Sequence, residues 1–215
     1  MAFHYPNGSS YTSSNQSDAP KLRVHRNTIY GGRGMTLEDE LNATNAYYLQ
    51  VNRAVVYKKP TPIQIVRVDY PARSKAVVRE GYFKTPSTTD YNGVYRGWYL
   101  DFEAKETKNK TSFPLKNFHQ HQIDHMRACL IQDGICFVVM RFSALQRLFV
   151  VPATLVIPAW DAQAQDGRKS ISIDAIMANS FELTPQLTPT VPYLDGVDWL
   201  INKKVGAPRG KNGHK

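Results

Sequence analysis

The sequence predicts an α/β domain, a mixed central sheet flanked by helices. Three observations predict it. Ile135–Met140 is an unbroken apolar run of six residues, the pattern of a strand covered on both faces. Val94–Glu106 alternates, with Tyr99, Leu100 and Phe102 apolar and Asp101, Glu103 and Lys105 charged. Two segments of helical period, Thr36–Val51 and Asn117–Gln132, precede and separate these strands, and such an order builds helices onto a sheet.

Each element follows from local chemistry. Thr36 and Asp39 have capping-box spacing, with Asp in place of the usual Glu or Gln. Leu37, Leu41, Thr44/Asn45 and Tyr48 then recur at helical spacing through about Val51. Arg53–Lys58 reads as a short strand, and Lys59-Pro60-Thr61-Pro62 breaks any regular element. Ile63–Val68 alternates roughly, Tyr70-Pro71-Ala72-Arg73-Ser74 turns, and Ala76–Phe83 extends again. These stretches predict a basic hairpin-like protrusion at about 63–84. Pro86–Gly93 is rich in Ser, Thr, Asn and Gly, hence a loop, and Lys108–Ser112 is a second, polar one. In Asn117–Gln132 the apolar face is Ile123, Met126, Leu130 and Ile131, and Gly134 ends the helix. Arg147–Val151 pairs with the apolar run. Pro152–Ile157 fits helix or strand, and Ser170–Asn179 and Val197–Asn202 read as short helices.

At 215 residues the chain is one domain with extensions, and its 42% apolar content excludes a wholly disordered polymer. Residues 1–33 read as a flexible basic arm, 34–202 as the folded domain and 203–215 as a flexible basic tail. No apolar run approaches the ~18–20 residues of a membrane span, and Met1-Ala2-Phe3-His4-Tyr5-Pro6 lacks the order of a signal peptide. With Cys129 and Cys136 alone, in apolar surroundings, a disulfide scaffold is excluded. The expectation is a cytoplasmic protein with reduced thiols. The formal net charge of +9 is concentrated: residues 53–84 carry +6 and 203–215 carry +5. A basic segment beside a slightly acidic remainder suits a protein that grips phosphate with one part and holds a metal with another.

Side chains at i and i+2 on a strand share a face. Asp101, Glu103 and Lys105 therefore face one way, and Leu100, Phe102 and Ala104 face the core. A carboxylate beside an ammonium on a strand suits metal-assisted phosphodiester hydrolysis. Hard cations usually need a second carboxylate, and Asp90, ending the Thr88-Thr89-Asp90 loop, is the candidate. An isolated Glu-x-Lys is usually a surface salt bridge, and Asp90 beside Asn92-Gly93 is by itself a turn residue. Their combination in this order is more specific than either. His119, His121 and His125 invite a zinc reading, but no Glu follows His121 and the cysteines sit in apolar runs. Partner contacts or capping explain them better. Gly31-Gly32-Arg33-Gly34 lacks Walker spacing and reads as a joint, and no Gly-x-Ser-x-Gly motif is present.

The run Gly97-Trp98-Tyr99-Leu100-Asp101-Phe102-Glu103-Ala104-Lys105-Glu106-Thr107-Lys108-Asn109-Lys110-Thr111-Ser112-Phe113-Pro114-Leu115 resembles the RecU family of Holliday junction resolvases. So do Arg33-Gly34-Met35-Thr36-Leu37-Glu38, Lys58-Lys59-Pro60-Thr61-Pro62, Ser87–Tyr95, Asn117-Phe118-His119 and His121-Gln122-Ile123. The resemblance implies a restriction-endonuclease-like fold with a PD-(D/E)xK type site. It implies a homodimer that cuts four-way DNA junctions symmetrically, using Mg2+ or Mn2+. It makes Asp90 and Glu103 the metal carboxylates, with Thr88 and Gln122 completing the metal neighbourhood and Lys105 the catalytic lysine. Glu38 matches a first-helix glutamate near such sites, acting through a water, and Glu40 competes for that role. The segment at 63–84 becomes a stalk entering the junction, with Arg67, Arg73, Lys75 and Arg79 on phosphates and Tyr70 and Tyr82 stacking on bases. Expected partners are branched DNA, a second copy of the chain, and a recombinase or branch-migration helicase, with no membrane. The rival is a non-cleaving protein that folds or holds branched DNA and modulates a recombinase. An intact acidic site separates the two, because a pure binder has no use for one.

Overall fold

The computed structural model describes residues 35–69, 76–84 and 87–206. Residues 1–34 and 207–215, and Tyr70, Arg73 and Lys75 between the basic strands, lie outside the described residues.

Thr36 caps the first helix, α1 (Leu37–Gln50), through the box expected: its hydroxyl accepts from the Asp39 N–H, and the Asp39 carboxylate accepts from the Thr36 N–H. The strands that follow are β1 (Val55–Lys58), β2 (Ile63–Asp69), β3 (Val77–Phe83), β4 (Tyr91–Tyr95), β5 (Trp98–Thr107) and β6 (Ser112–Pro114). Then come α2 (Gln120–Ile131), β7 (Ile135–Phe142), β8 (Arg147–Pro152), α3 (Ala153–Gln163), β9 (Ser170–Ser172), α4 (Ile173–Asn179), β10 (Phe181–Leu183) and α5 (Tyr193–Gly206). Six strands form a mixed sheet in the order β1-β4-β5-β7-β8-β10. Only β5 and β7 run parallel in it, joined by the crossover that contains α2.

β7 is the run buried on both faces. Ile135, Phe137 and Val139 pack with Leu100 and Phe102 of β5 and with residues of α1 and α5. Cys136, Val138 and Met140 pack on the opposite face, with residues of α2 and α3. The α/β class holds, and helices cover both faces of a mixed sheet.

Four local expectations change. The alternating stretch 94–106 is part of a hairpin. β4 starts at Tyr91, inside the expected loop, and a two-residue turn reverses the chain at Arg96 (φ 48°) and Gly97 (φ 80°). Two positive φ values match the twist of paired strands. Gly93 lies within β4 because a Cβ there would come 2.1 Å from the Val55 carbonyl oxygen, so its lack of a side chain lets β1 pair closely. Ser170–Asn179 divides into β9 and α4, with Ser172 capping the helix by accepting from the Ala175 N–H. The ambiguous segment after Pro152 is helical, as α3. The last helix extends from Tyr193 to Gly206, so Lys203 and Lys204 belong to it. No helix among the described residues is long and apolar enough to cross a membrane.

Among the described residues, β2 and β3 pair only with each other. Their side chains are exposed throughout β3 and over Ile63–Arg67, so this ribbon buries no core of its own.

Candidate active site

The β4–β5 register sets Tyr91 opposite Phe102 and Asn92 opposite Asp101. One step further, Asp90 comes opposite Glu103, and its backbone N–H donates to Glu103 Oε2 at 3.2 Å. The Asp90 carboxyl is near enough to help hold the Glu103 carboxyl above its ordinary value. Glu103 lies on the face of β5 that α2 covers, and there Gln122 Nε2 donates to Glu103 Oε1 at 2.8 Å. Gln122 is oriented in turn, because its Oε1 accepts from the His119 N–H at 3.0 Å, at the start of α2. Lys105 Nζ reaches the same Glu103 Oε1 at 2.9 Å.

Glu103 is 1% exposed. Burial pushes its carboxyl up to about 8, the hydrogen bond and charge of Asp90 push the same way, and Lys105 opposes them. Two carboxyls meeting on a buried edge, with one ammonium beside them, leave negative charge to balance. Oxygen donors of this kind fit a hard divalent cation such as Mg2+ or Mn2+.

Asp101, also fully buried, has a different environment. Lys59 Nζ donates to its Oδ2 at 2.7 Å, the Tyr99 hydroxyl donates at 2.9 Å, and His125 Nε2 lies 3.0 Å away. The Thr89 hydroxyl donates to its Oδ1. Asp101, His125 and Cys129 offer ligand atoms within 4.8 Å of one another. The Lys59 ammonium already occupies the place of a cation there, 3.3 Å from His125 Nε2. Asp101 therefore has a counter-charge of its own within the protein, whereas Asp90 and Glu103 have Lys105 between them.

The remaining candidates divide. The Thr88 hydroxyl donates to the Thr89 carbonyl at 3.2 Å, at the edge of the Asp90 loop. Glu38 is exposed and paired with Lys58, whereas Glu40 is buried against Arg141. His119 and His121 stack with ring centroids 5.6 Å apart. On the ribbon, Arg67 and Arg79 flank Asp69 at 3.7 and 2.7 Å, and the exposed Tyr82 donates to Glu80 at 2.6 Å.

A family model described as Recombination protein U matches residues 32–199. The chain belongs to the RecU family. A RecU relative from Lacticaseibacillus casei (strain BL23), a Holliday junction resolvase, is 67% identical over 210 residues, 98% of this chain and all of the relative. Resolvases of the same name from Latilactobacillus sakei subsp. sakei (strain 23K) and Limosilactobacillus reuteri (strain DSM 20016) are 63% and 52% identical, covering 94% and 95% of this chain and 97% and 100% of theirs. The motifs quoted for the RecU resemblance include every residue gathered around Glu103. Sequence reasoning missed the Lys59–Thr89–Asp101 network. The sequence marks one end of it, because alternation sets Asp101 on the face of Glu103, where a buried carboxylate requires a partner, but not which residues supply that partner.

Proposed function

We propose that this protein is a structure-specific endonuclease of the cytoplasm that resolves four-way (Holliday) DNA junctions by metal-dependent phosphodiester hydrolysis, in homologous recombination and DNA repair. The convergence of Asp90 and Glu103 with Lys105 on one buried edge, in a chain of the RecU family, carries this reading.

In it, Asp90 and Glu103 hold Mg2+, for which Mn2+ substitutes, and Thr88 lies at the rim of the site. Held there, the ion would supply Lewis-acid polarisation of the scissile phosphate. Gln122 keeps the Glu103 carboxylate turned toward Asp90, because its amide is fixed at both ends. Lys105 presents its remaining N–H donors to a water or to a phosphate oxygen on which charge develops. Little water screens these charges, so each interaction acts strongly. Glu38, on the exposed side, acts through a water.

Arg67, Arg79 and Tyr82 of the β2–β3 ribbon meet the junction as its stalk in this reading, and Arg73, Lys75 and Tyr70, which fall between the two strands in the sequence, carry the same role by resemblance. Arginine on phosphate positions DNA without reading its sequence. Resolution requires two opposed cuts, and a chain with one site achieves them as a two-fold dimer. The RecU resemblance further implies a recombinase or branch-migration helicase as partner.

The test is cleavage of a four-way junction in Mg2+ by the wild type and by Asp90→Asn. The wild type cuts, and the variant binds without cutting. Equal cutting by both, or binding by both with no cutting by either, overturns the enzyme reading and leaves a junction-holding protein.

A further inference from the structure

Lys59 lies one residue beyond β1, whose register ends with Lys58 opposite Tyr91. Its backbone N–H donates to the Asp90 carbonyl at 2.7 Å. Its side chain passes back along the same loop, donating to Thr89 Oγ1 at 3.0 Å and to Asp101 Oδ2 at 2.7 Å. Thr89 closes the ring by donating to Asp101 Oδ1. Lys59 therefore grips the peptide of Asp90 from its main chain and the residue before Asp90 from its ammonium. The anchor of this grip, Asp101, is fully buried on β5, two residues from Glu103.

A metal carboxylate on a loop coordinates well only if the loop is fixed to about half an ångström. Glu103 meets this need by lying within a central strand. Asp90 precedes its strand, and its side chain has no such frame. We propose that Lys59, working through Thr89 against Asp101, is a positioning residue that fixes the Asp90 carboxylate for metal binding. The assignment rests on the reading of Asp90 and Glu103 as the metal pair. It also accounts for a buried acid that touches neither of them: Asp101 anchors the lysine, and the lysine holds the loop. An apolar pair in the same space would pack as well but would leave the Thr89 hydroxyl, and so the loop, without its clasp.

Full-length wild type, Lys59→Met, the double variant Lys59→Met/Asp101→Asn, Thr89→Ser and Thr89→Val are compared. Two readouts are used: calorimetric titration with Mn2+ without DNA, and the Mn2+ concentration that half-saturates junction cleavage. The double variant removes both buried charges, so it folds even if Lys59→Met does not. Its Mn2+ affinity falls about tenfold or more, and half-saturation rises by the same factor. Cleavage at saturating Mn2+ stays within about threefold of wild type, because the reacting groups are intact. Thr89→Ser retains the hydroxyl and behaves as wild type, whereas Thr89→Val shifts Mn2+ affinity in the same direction as the double variant. A folded double variant and a folded Thr89→Val that bind Mn2+ as wild type does overturn the assignment alone. A wild type that binds no Mn2+ and cuts no junction overturns the metal reading, and the assignment with it.

Discussion

Asp101 and Glu103 share a strand, a face and near-complete burial, yet they are treated oppositely. Asp101 receives an ammonium and two hydroxyls and lies beside an imidazole nitrogen. Glu103 receives one ammonium and one amide, and then faces a second carboxyl. The first environment neutralises a buried charge within the protein. The second leaves it incompletely neutralised, and burial pushes the glutamate up to about 8. Burial of an acid is thus no sign of function by itself. An acid left with too few partners beside another acid is a sign, because the missing charge has to come from outside.

The comparison can be broken most severely at Glu103. Glu103→Gln keeps the shape and the contacts with Lys105 and Gln122 while removing the charge. Junction cleavage falls by about a thousandfold, while unfolding midpoints in urea stay level or rise. A variant that cuts normally would make Glu103 another structural acid. Asp101→Asn reverses the balance. It leaves the Lys59 ammonium facing an amide and costs about 3 kcal/mol of stability by denaturant unfolding. If that variant were as stable as wild type, Asp101 could not be the neutralised member of the pair.

How far this contrast was legible in the sequence follows from its chemistry. Strand alternation put Asp101, Glu103 and Lys105 on one face and Leu100 and Phe102 in the core, and they lie so. The apolar run at Ile135 and the Thr36–Asp39 cap were legible for the same local reason. The hairpin at Arg96-Gly97 was not, because Arg96 at positive φ carries no local marker in the sequence. The role of Lys59 was hidden too. It sits in a Lys-Lys-Pro-Thr-Pro stretch that reads as a break, and its partners Thr89, Asp101 and His125 lie 30, 42 and 66 residues away. Distant pairing of this kind depends on the β1–β4–β5 order, which no local pattern specifies. Glu38 and Glu40, inseparable by spacing, separate once α1 packs, because Glu40 turns inward to Arg141.

Acidity sharpens the contrast further. The ordinary value of a glutamate carboxyl is near 4.5, and in the fold burial pushes Glu103 up to about 8. Between these values the native state keeps a proton that the unfolded chain has released, so this group lowers stability progressively as pH rises. In metal-free buffer, the thermal midpoint of wild type therefore falls more steeply from about pH 6 to about pH 8 than that of Glu103→Gln. Added Mg2+ stabilises wild type more at the higher pH, where the carboxylate is free of its proton. Parallel slopes for the two proteins would remove the case for an under-neutralised Glu103.

The smallest effect tests the well-satisfied side. The Tyr99 hydroxyl donates to Asp101 Oδ2 at 2.9 Å and accepts from Asn92 Nδ2 at 3.4 Å, on a ring that is 39% exposed. Burial raises this phenol to about 12, so it remains a donor throughout the working range. Tyr99→Phe removes one donor from a carboxylate that retains Lys59, Thr89 and His125, and water can reach the partly exposed site. The expected cost is about 1 kcal/mol in denaturant unfolding, with cleavage changed by less than about twofold. A loss of cleavage comparable to that of Glu103→Gln would mean that the Asp101 network takes part in the chemistry itself, and the division between the two acids would fail.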